Sequence, residues 1–309
     1  MSTYKDLSSH RAICSTPTRP PTSPGRSLAQ HQVNKLYYPF MTPVPPRLVA
    51  TDLDGTIVRS DGTVSARTVA ALARVEQAGS LLVFVTGRPP RLMGPIAAAF
   101  GRRGQAICSN GALIHDLRTG AVVEEHPIPV TALVEAARRL RAAAPGIGLA
   151  VEYAHELAGD EHYQAGDWDT DVTVQRLEDA KLLGRPAPKL IGRHPRLSAD
   201  ELLALAGPAL DGLVTPYHSN GLRLVEAIAV GVNKAAALEA LAERHGIART
   251  EAVAFGDMPN DLPMLAWAGG SYGVANAHQD VLAAVDEVVP GNDEDGVART
   301  VERLFPQSC

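Results

Sequence analysis

The chain has few cysteines and no long apolar run, and its charges are nearly balanced. Its three cysteines in 309 residues, Cys14, Cys108 and Cys309, are too widely separated for a disulfide framework or a zinc site, so a reducing cytoplasm is the expected location. No stretch approaches the roughly 20 apolar residues that cross a bilayer, and we expect no membrane span. A net charge of −5 provides no bulk attraction to nucleic acid. Composition therefore argues against membrane and nucleic-acid partners.

Residues 1–46 differ in composition from the rest of the chain. They are rich in Ser, Thr, Pro and Arg, contain Asp6 as their only acid, and lack a helical or strand period, which predicts a disordered tail. The scarcity of acids is also typical of an organellar transit peptide, although the segment has no convincing amphipathic helix and no apolar signal core. A further interpretation is that translation starts at Met41.

Two acids follow the first apolar run, at residues 48–50. Asp52 and Asp54 lie two residues apart in D-L-D-G-T, so an extended backbone places both on one side, and Gly55 allows a sharp turn beyond them. One carboxylate could attack phosphorus while the other carries protons to and from the leaving oxygen. The alternative for an isolated D-x-D-G is an ordinary turn.

The same layout, an apolar run followed by polar residues, recurs along the chain. Thr86-Gly87-Arg88 follows the apolar residues 81–85, and G-D-M-P-N-D at 256–261 follows 252–255. Lys234 stands at the start of a helix-like segment. Strand, polar loop and helix in alternation predict an α/β fold, a Rossmann-like doubly wound parallel sheet whose loops meet at the carboxyl ends of the strands.

With D-L-D-G-T, T-G-R, a lysine opening a helix and G-D-x-x-N-D in this order, the chain resembles the haloacid dehalogenase superfamily. The S-N-G-A at residues 109–112 is similar to the Cof-type branch, subclass IIB, which inserts a C2-type α+β cap between the second and third motifs. The resemblance covers about residues 48–304. It implies a soluble phosphatase that uses Mg²⁺.

The resemblance also assigns roles to individual residues. Asp52 would be the nucleophile that forms an aspartyl-phosphate, and Asp54 the general acid and then the general base. Phosphate oxygens would be bound by Thr86, Gly87, Lys234 and Asn260. Magnesium would be held by the carboxylates of Asp52 and Asp257 and the backbone carbonyl of Asp54. Arg88 and Asp261 would support this first set of residues. For Arg88 two roles stay open, contact with phosphate and pairing with an acid at the helix entrance.

About 120 residues separate Gly111 from Lys234, far more than a structureless connection in a compact domain. We therefore predict a core at 47–127, an inserted cap at 128–228 and a second core part at 229–309. In the cap we expect helices at 131–143 and 198–206, begun by Thr131 and Ser198, the second ended by Gly207. The predicted substrate-binding residues are Asn110, Gly111, His218 and Ser219, and the polar loop 156–171 is either a substrate contact or a solvated turn.

These observations predict a Mg²⁺-dependent phosphomonoester hydrolase of small phosphorylated metabolites, with sugar phosphates first and flavin or pyridoxal cofactor precursors next. One alternative is a phosphomutase of the phosphomannomutase type, which would return the phosphoryl group to a sugar. A second is a non-catalytic metabolite-binding protein, against which the complete set of motif acids, Thr86 and Lys234 argues. The oligomeric state is not indicated by the sequence.

Overall fold

The computed structural model describes residues 44–166, 169, 172–218 and 223–307. The predicted tail, up to residue 43 and including Met41, lies outside the described residues, and so does Ser219.

The larger of two sheets has eight strands. They are β1 (Leu48–Thr51), β2 (Leu81–Val85), β3 (Gln105–Cys108), β4 (Leu113–Asp116), β5 (Ala121–Glu125), and, after the smaller sheet, β12 (Ala252–Gly256), β13 (Gly270–Val274) and β14 (Glu287–Val289). Their order is β14-β13-β12-β1-β2-β3-β4-β5, parallel from β14 to β3 and antiparallel from β3 to β5. This confirms the predicted parallel α/β core.

Helices cover both faces of the larger sheet. They are α1 (Ala66–Gln77), α2 (Gly94–Ala99), and, beyond the smaller sheet, α6 (Lys234–Arg244), α7 (Leu262–Trp267), α8 (Gln279–Ala284) and α9 (Gly296–Leu304). Alternation along β1 explains the two layers, because Val49 packs in one apolar cluster and Leu48 and Ala50 pack in another on the opposite face. All four β1 residues are buried, as expected for a central strand covered on both sides.

The smaller sheet is formed between β5 and α6. Its strands are β6 (Gly148–Glu152), β7 (Leu157–Gly159), β8 (Gln175–Arg176), β9 (Lys189–Arg193), β10 (Thr215–Tyr217) and β11 (Leu224–Ile228), in the order β10-β11-β9-β6-β7-β8. Its helices are α3 (Val130–Ala143), α4 (Asp179–Leu182) and α5 (Ala199–Leu210). We call this unit the cap. Its sheet is antiparallel apart from the β7–β8 pair.

Three local predictions for the cap were wrong, and one was confirmed. Thr131 does not start α3, which begins at Val130 after Pro129. Gly207 does not end α5, which continues through Pro208 to Leu210 because Ala206 and Leu210 are both buried in the cap core. The polar segment after residue 155 is not all loop, since it contains β7. Ser198 does cap α5, in a reciprocal capping box with Glu201.

The described helices are all too short or too polar to cross a membrane.

Candidate active site

Four strands of the larger sheet end at the same edge, and each is followed by predicted site residues. Asp52 follows β1, Thr86 follows β2, Asn110 lies just after β3, and Asp257 follows β12. Since β12, β1, β2 and β3 are parallel neighbours, residues up to about 200 positions apart in sequence converge there.

Lys234 lies between two acids at the centre of this edge. Its Nζ donates to Asp52 Oδ1 at 2.7 Å and to Asp261 Oδ1 at 2.6 Å, and all three side chains are buried. Asn233 caps α6 by accepting from the backbone N–H of Ala236, so Lys234 is the first residue of the helix and is held rigidly. Burial alone would lower the pKa of Lys234, but the two carboxylates raise it above its ordinary value.

Asp261 orients this cluster through both of its oxygens. While Oδ1 accepts from Lys234, Oδ2 accepts from the backbone N–H groups of Asp257 at 3.1 Å and Met258 at 3.0 Å. Its hydrogen-bonding capacity is therefore used within the protein, which fits the supporting position that the sequence predicted.

Asp257 completes the acidic cluster from the β12 loop. Its Oδ1 accepts from Thr56 Oγ1 at 2.8 Å, and its Oδ2 lies against Gly55, where a Cβ would approach to 2.4 Å. Gly55 also has a φ of +80°, a left-handed conformation that favours glycine. The glycine of D-L-D-G-T is thus required both for the turn and for the space that the Asp257 carboxylate occupies.

Carboxylate oxygens of Asp52, Asp257 and Asp261 all lie within 4.8 Å of one another. Burial, followed by the neighbouring Asp261, raises the pKa of Asp257 to about 6. Burial also raises the pKa of Asp52 well above its ordinary value; Lys234 opposes this, whereas Asp261 and Asp257 reinforce it. In their ionised forms, three acids against one lysine leave an excess of negative charge in a buried space.

That excess of charge and the all-oxygen donor set fit a hard divalent cation. Asp261 already uses both oxygens on Lys234 and the backbone, and binding of the metal by Asp52 and Asp257 stays a prediction. The acidic cluster can therefore hold a metal ion.

Asp54 does not join this cluster through its side chain. Its two oxygens accept from Arg88, from Nε at 2.7 Å and from a terminal guanidinium nitrogen, in a bidentate pair. The Asp54 side chain is 41% exposed, in contrast to the buried Asp52. Of the two roles considered for Arg88, pairing with an acid is the one that the contacts support.

Thr86 and the S-N-G turn lie beside the acids. Thr86 is buried, and its Oγ1 accepts from the backbone N–H of Arg88 at 3.1 Å. Its carbonyl accepts from the N–H of Asn110, whose Oδ1 in turn accepts from Asn260 Nδ2 at 3.2 Å. Asn110 has a φ of 53°, which costs about 1 kcal/mol or more for a non-glycine residue and is often found at functional sites.

Gly111 brings the β3 turn against α6. A Cβ at Gly111 would lie 2.5 Å from the carbonyl oxygen of Asn233, and its φ is +109°. The close backbone approach seats the helix that begins with Lys234. This contact accounts for the glycine without a ligand, and substrate contact by Gly111 stays a prediction.

Of the cap residues predicted to contact substrate, His218 is among the described residues, and its role stays a prediction. The His218 ring hydrogen-bonds Asp200 of α5 at 2.9 Å, and within the described chain it bonds none of the other predicted site residues. Of the polar loop, Asp169 and Tyr163 lie beside the core, and they line a cavity of about 90 Å³ that also contacts Gly87 and Arg88.

Sequence reasoning missed the residues that line this cavity from the cap strands. They are Glu152, Lys189, Ile191, Arg193, Leu224 and Glu226, joined by Arg91 of the core. The charged members of this set had a signal in the sequence, because β6, β9 and β11 each carry charged residues beside apolar ones. Charged side chains are seldom buried unless they are paired.

Comparisons with known proteins agree with this geometry. A family model described as a haloacid dehalogenase-like hydrolase matches residues 49–301. The chain is similar to 5-amino-6-(5-phospho-D-ribitylamino)uracil phosphatase YitU of Bacillus subtilis, with 26% identity covering 84% of this chain and 98% of the relative. It is also similar to pyridoxal phosphate phosphatase YbhA of Escherichia coli, with 27% identity over 82% and 97% of the two chains.

A solved structure shares the fold. It is a haloacid dehalogenase-like hydrolase from Bacteroides thetaiotaomicron, with a TM-score of 0.71 and 26% identity, covering 84% of this chain and all of the other. The resemblance predicted from the motifs is confirmed. Because the family model spans most of the sequence, the chain belongs to the haloacid dehalogenase-like hydrolase family.

Proposed function

We propose that the protein is a Mg²⁺-dependent phosphatase that hydrolyses small phosphorylated metabolites through an aspartyl-phosphate on Asp52. The observation that carries this proposal is the buried Asp52–Lys234–Asp261 arrangement with Asp257 beside it, at the carboxyl edge of the sheet. The two curated relatives are both phosphatases by name, and they support phosphorylated cofactors and their precursors as the substrate class.

In the first step, the Asp52 carboxylate attacks phosphorus, the bond from phosphorus to the substrate oxygen breaks, and Asp54 gives its proton to that oxygen. In the second step, Asp54 takes a proton from water as the water oxygen attacks phosphorus, which releases phosphate and restores Asp52. Asp54 is partly exposed, so it can take up from solvent the proton that the first step needs once one of its oxygens leaves Arg88. Its remaining hydrogen bond to Arg88 keeps it oriented.

Lys234 and Thr86 are proposed to stabilise the charge on the transferring group. Lys234 is a buried cation beside the nucleophile. The Thr86 hydroxyl oxygen accepts from the Arg88 N–H and makes no hydrogen bond as a donor to any described residue, so its proton can be donated to phosphate. Asp52 must be ionised to attack, yet burial raises its pKa. Asp52 and Asp257, with the Asp54 carbonyl, would hold Mg²⁺, whose positive charge would favour the ionised nucleophile and offset the charge of the substrate phosphate.

The test is phosphate release by the full chain from a panel of phosphomonoesters, with MgCl₂ and with EDTA. We expect release that needs the metal, and we expect Asp52→Asn to abolish it while the protein unfolds at the same or a higher denaturant concentration, since a strained buried charge is removed. Asp211→Asn, at an exposed cap position, is the matched control and should keep the wild-type rate.

A wild-type rate in Asp52→Asn contradicts the nucleophile assignment. Isomerised sugar phosphate in place of free phosphate would identify a mutase instead.

A further inference from the structure

Lys189 is a buried lysine of the cap. It lies on β9, with its side chain on the sheet face opposite α3 and α5, because its neighbour Leu190 packs in the helix-covered core of the cap. The Lys189 side chain is 2% exposed. A buried ammonium group is stable only where its hydrogen-bond donors and its charge are matched.

Lys189 Nζ makes two hydrogen bonds, to Glu226 and Gly87, and an ion pair with Glu152. Nζ lies 2.6 Å from Glu226 Oε1, 3.0 Å from Glu152 Oε2 and 3.0 Å from the carbonyl oxygen of Gly87. The two carboxylates belong to the cap, whereas Gly87 belongs to the Thr86-Gly87-Arg88 loop of the core. Although burial alone lowers the pKa of Lys189, the two glutamates raise it well above its ordinary value, so the group is charged.

The core contributes Arg91 to the charged cluster formed by Lys189, Glu152 and Glu226. Its guanidinium donates to Glu152 Oε1 at 2.9 Å and to Asp169 Oδ1 at 3.3 Å, and its backbone N–H donates to the carbonyl of Ala154 at 3.0 Å. Glu152 thus bridges a cap lysine and a core arginine. These contacts form only while the cap lies on the core.

The Gly87 carbonyl belongs to the peptide group that contains the N–H of Arg88. Because the peptide unit is planar, a hydrogen bond that fixes the carbonyl also fixes the N–H direction. That N–H donates to Thr86 Oγ1 at 3.1 Å, and the Arg88 side chain holds Asp54. Lys189 therefore acts on the peptide that orients the hydroxyl of Thr86.

We propose that Lys189 is a positioning residue that couples the seating of the cap to the geometry of the Thr86-Gly87-Arg88 loop, so that the loop binds phosphate fully only when the cap lies on the core. The proposal rests on the proposed phosphatase function of the same site. It makes the cap part of the phosphate-binding machinery without direct contact with the phosphoryl group.

The test compares two variants that differ only at residue 189, and therefore in the ammonium group that bonds to Gly87. Glu226→Gln alters the charge of the cluster but keeps Lys189 and its bond to Gly87, whereas Lys189→Met/Glu226→Gln removes one positive and one negative charge together and loses that bond. We expect the double variant to bind inorganic phosphate about tenfold or more weakly as a competitive inhibitor, the loss typical of a hydrogen bond to a charged group. Its kcat should fall as well, and Glu226→Gln should stay within about twofold of wild type.

Amide hydrogen exchange gives a readout that is independent of catalysis. We expect faster exchange at residues 86–91 in the double variant than in Glu226→Gln. A folded double variant with unchanged phosphate inhibition and exchange overturns the proposal, and so do equal losses in both variants, which would reflect cap stability alone.

The proposal is also overturned if the double variant has unchanged phosphate inhibition but a kcat loss that differs between substrates with different leaving alcohols. That result would mean that Lys189 binds the leaving group. If the wild-type protein released no phosphate from any ester, the proposed function would fail, and the exchange comparison would still decide the coupling.

Discussion

Substitution of Gly55 by alanine separates backbone strain from damage to the acidic cluster. Gly55 and Gly62 lie in the same loop after β1 with φ values of +80° and +82°, and a Cβ at Gly62 would meet nothing within 4 Å. At Gly55 the Cβ would lie 2.4 Å from Asp257 Oδ2, whereas ordinary contacts begin at 3.4 Å. Gly62→Ala is therefore a matched control with strain but no collision.

Each alanine should lose about 1–2 kcal/mol of unfolding free energy from its left-handed backbone. In Gly55→Ala the Asp257 carboxylate must also move by about 1 Å, and displacement on that scale costs about 100-fold in rate where catalytic groups are involved. Disturbance of metal-ligand orientation weakens metal binding by about 10–100-fold. We therefore expect Gly55→Ala to lose at least as much stability as Gly62→Ala without metal, and only Gly55→Ala to lose Mg²⁺ affinity and turnover.

The assays are urea unfolding with EDTA, calorimetric titration with MgCl₂, and phosphate release at saturating metal. Equal Mg²⁺ affinity and equal turnover in Gly55→Ala and Gly62→Ala would refute the reasoning, because the collision with Asp257 would then have no effect on the site. A loss of both properties in Gly62→Ala would show that loop strain alone disturbs catalysis.

Three further predictions concern the charges of the site. Lys234→Met leaves Asp52 and Asp261 buried without their cation, so metal-free protein should lose about 3–5 kcal/mol of unfolding free energy in urea, and unchanged stability would contradict the buried pair. Because the pKa of Asp257 is raised from 3.8 to about 6, the folded metal-free protein holds this proton more tightly than the unfolded chain. The stability of the metal-free protein should therefore fall as the pH rises through that interval, while its Mg²⁺ affinity increases. An Mg²⁺ affinity that does not change with pH around 6 would count against metal binding by Asp257. Asp54→Asn should slow turnover or trap phosphorylated protein in rapid-quench labelling; an undiminished rate at both steps excludes its proton-transfer role.

Local chemistry made much of the core predictable. Continuous apolar runs ending in polar residues identified the strands, and their parallel arrangement implied that Asp52, Thr86 and Asp257 meet at one edge. Local signals were less reliable for helix ends. Gly207 was wrong as a boundary because burial of the helix face outweighed the preference of a single glycine, and Thr131 was wrong because Pro129 occupies the N-cap position of α3.

The sequence by itself determined the order of the motifs, the acids of the site and the presence of an inserted unit, because each depends on residue type and short-range spacing. Only the tertiary structure decided which side chains the site residues pair with. Lys234 pairs with Asp261 as well as with Asp52, and Arg88 holds Asp54. The Lys189 contact with Gly87 joins residues 102 positions apart, and such a pairing follows from how two sheets face each other, which no local pattern encodes.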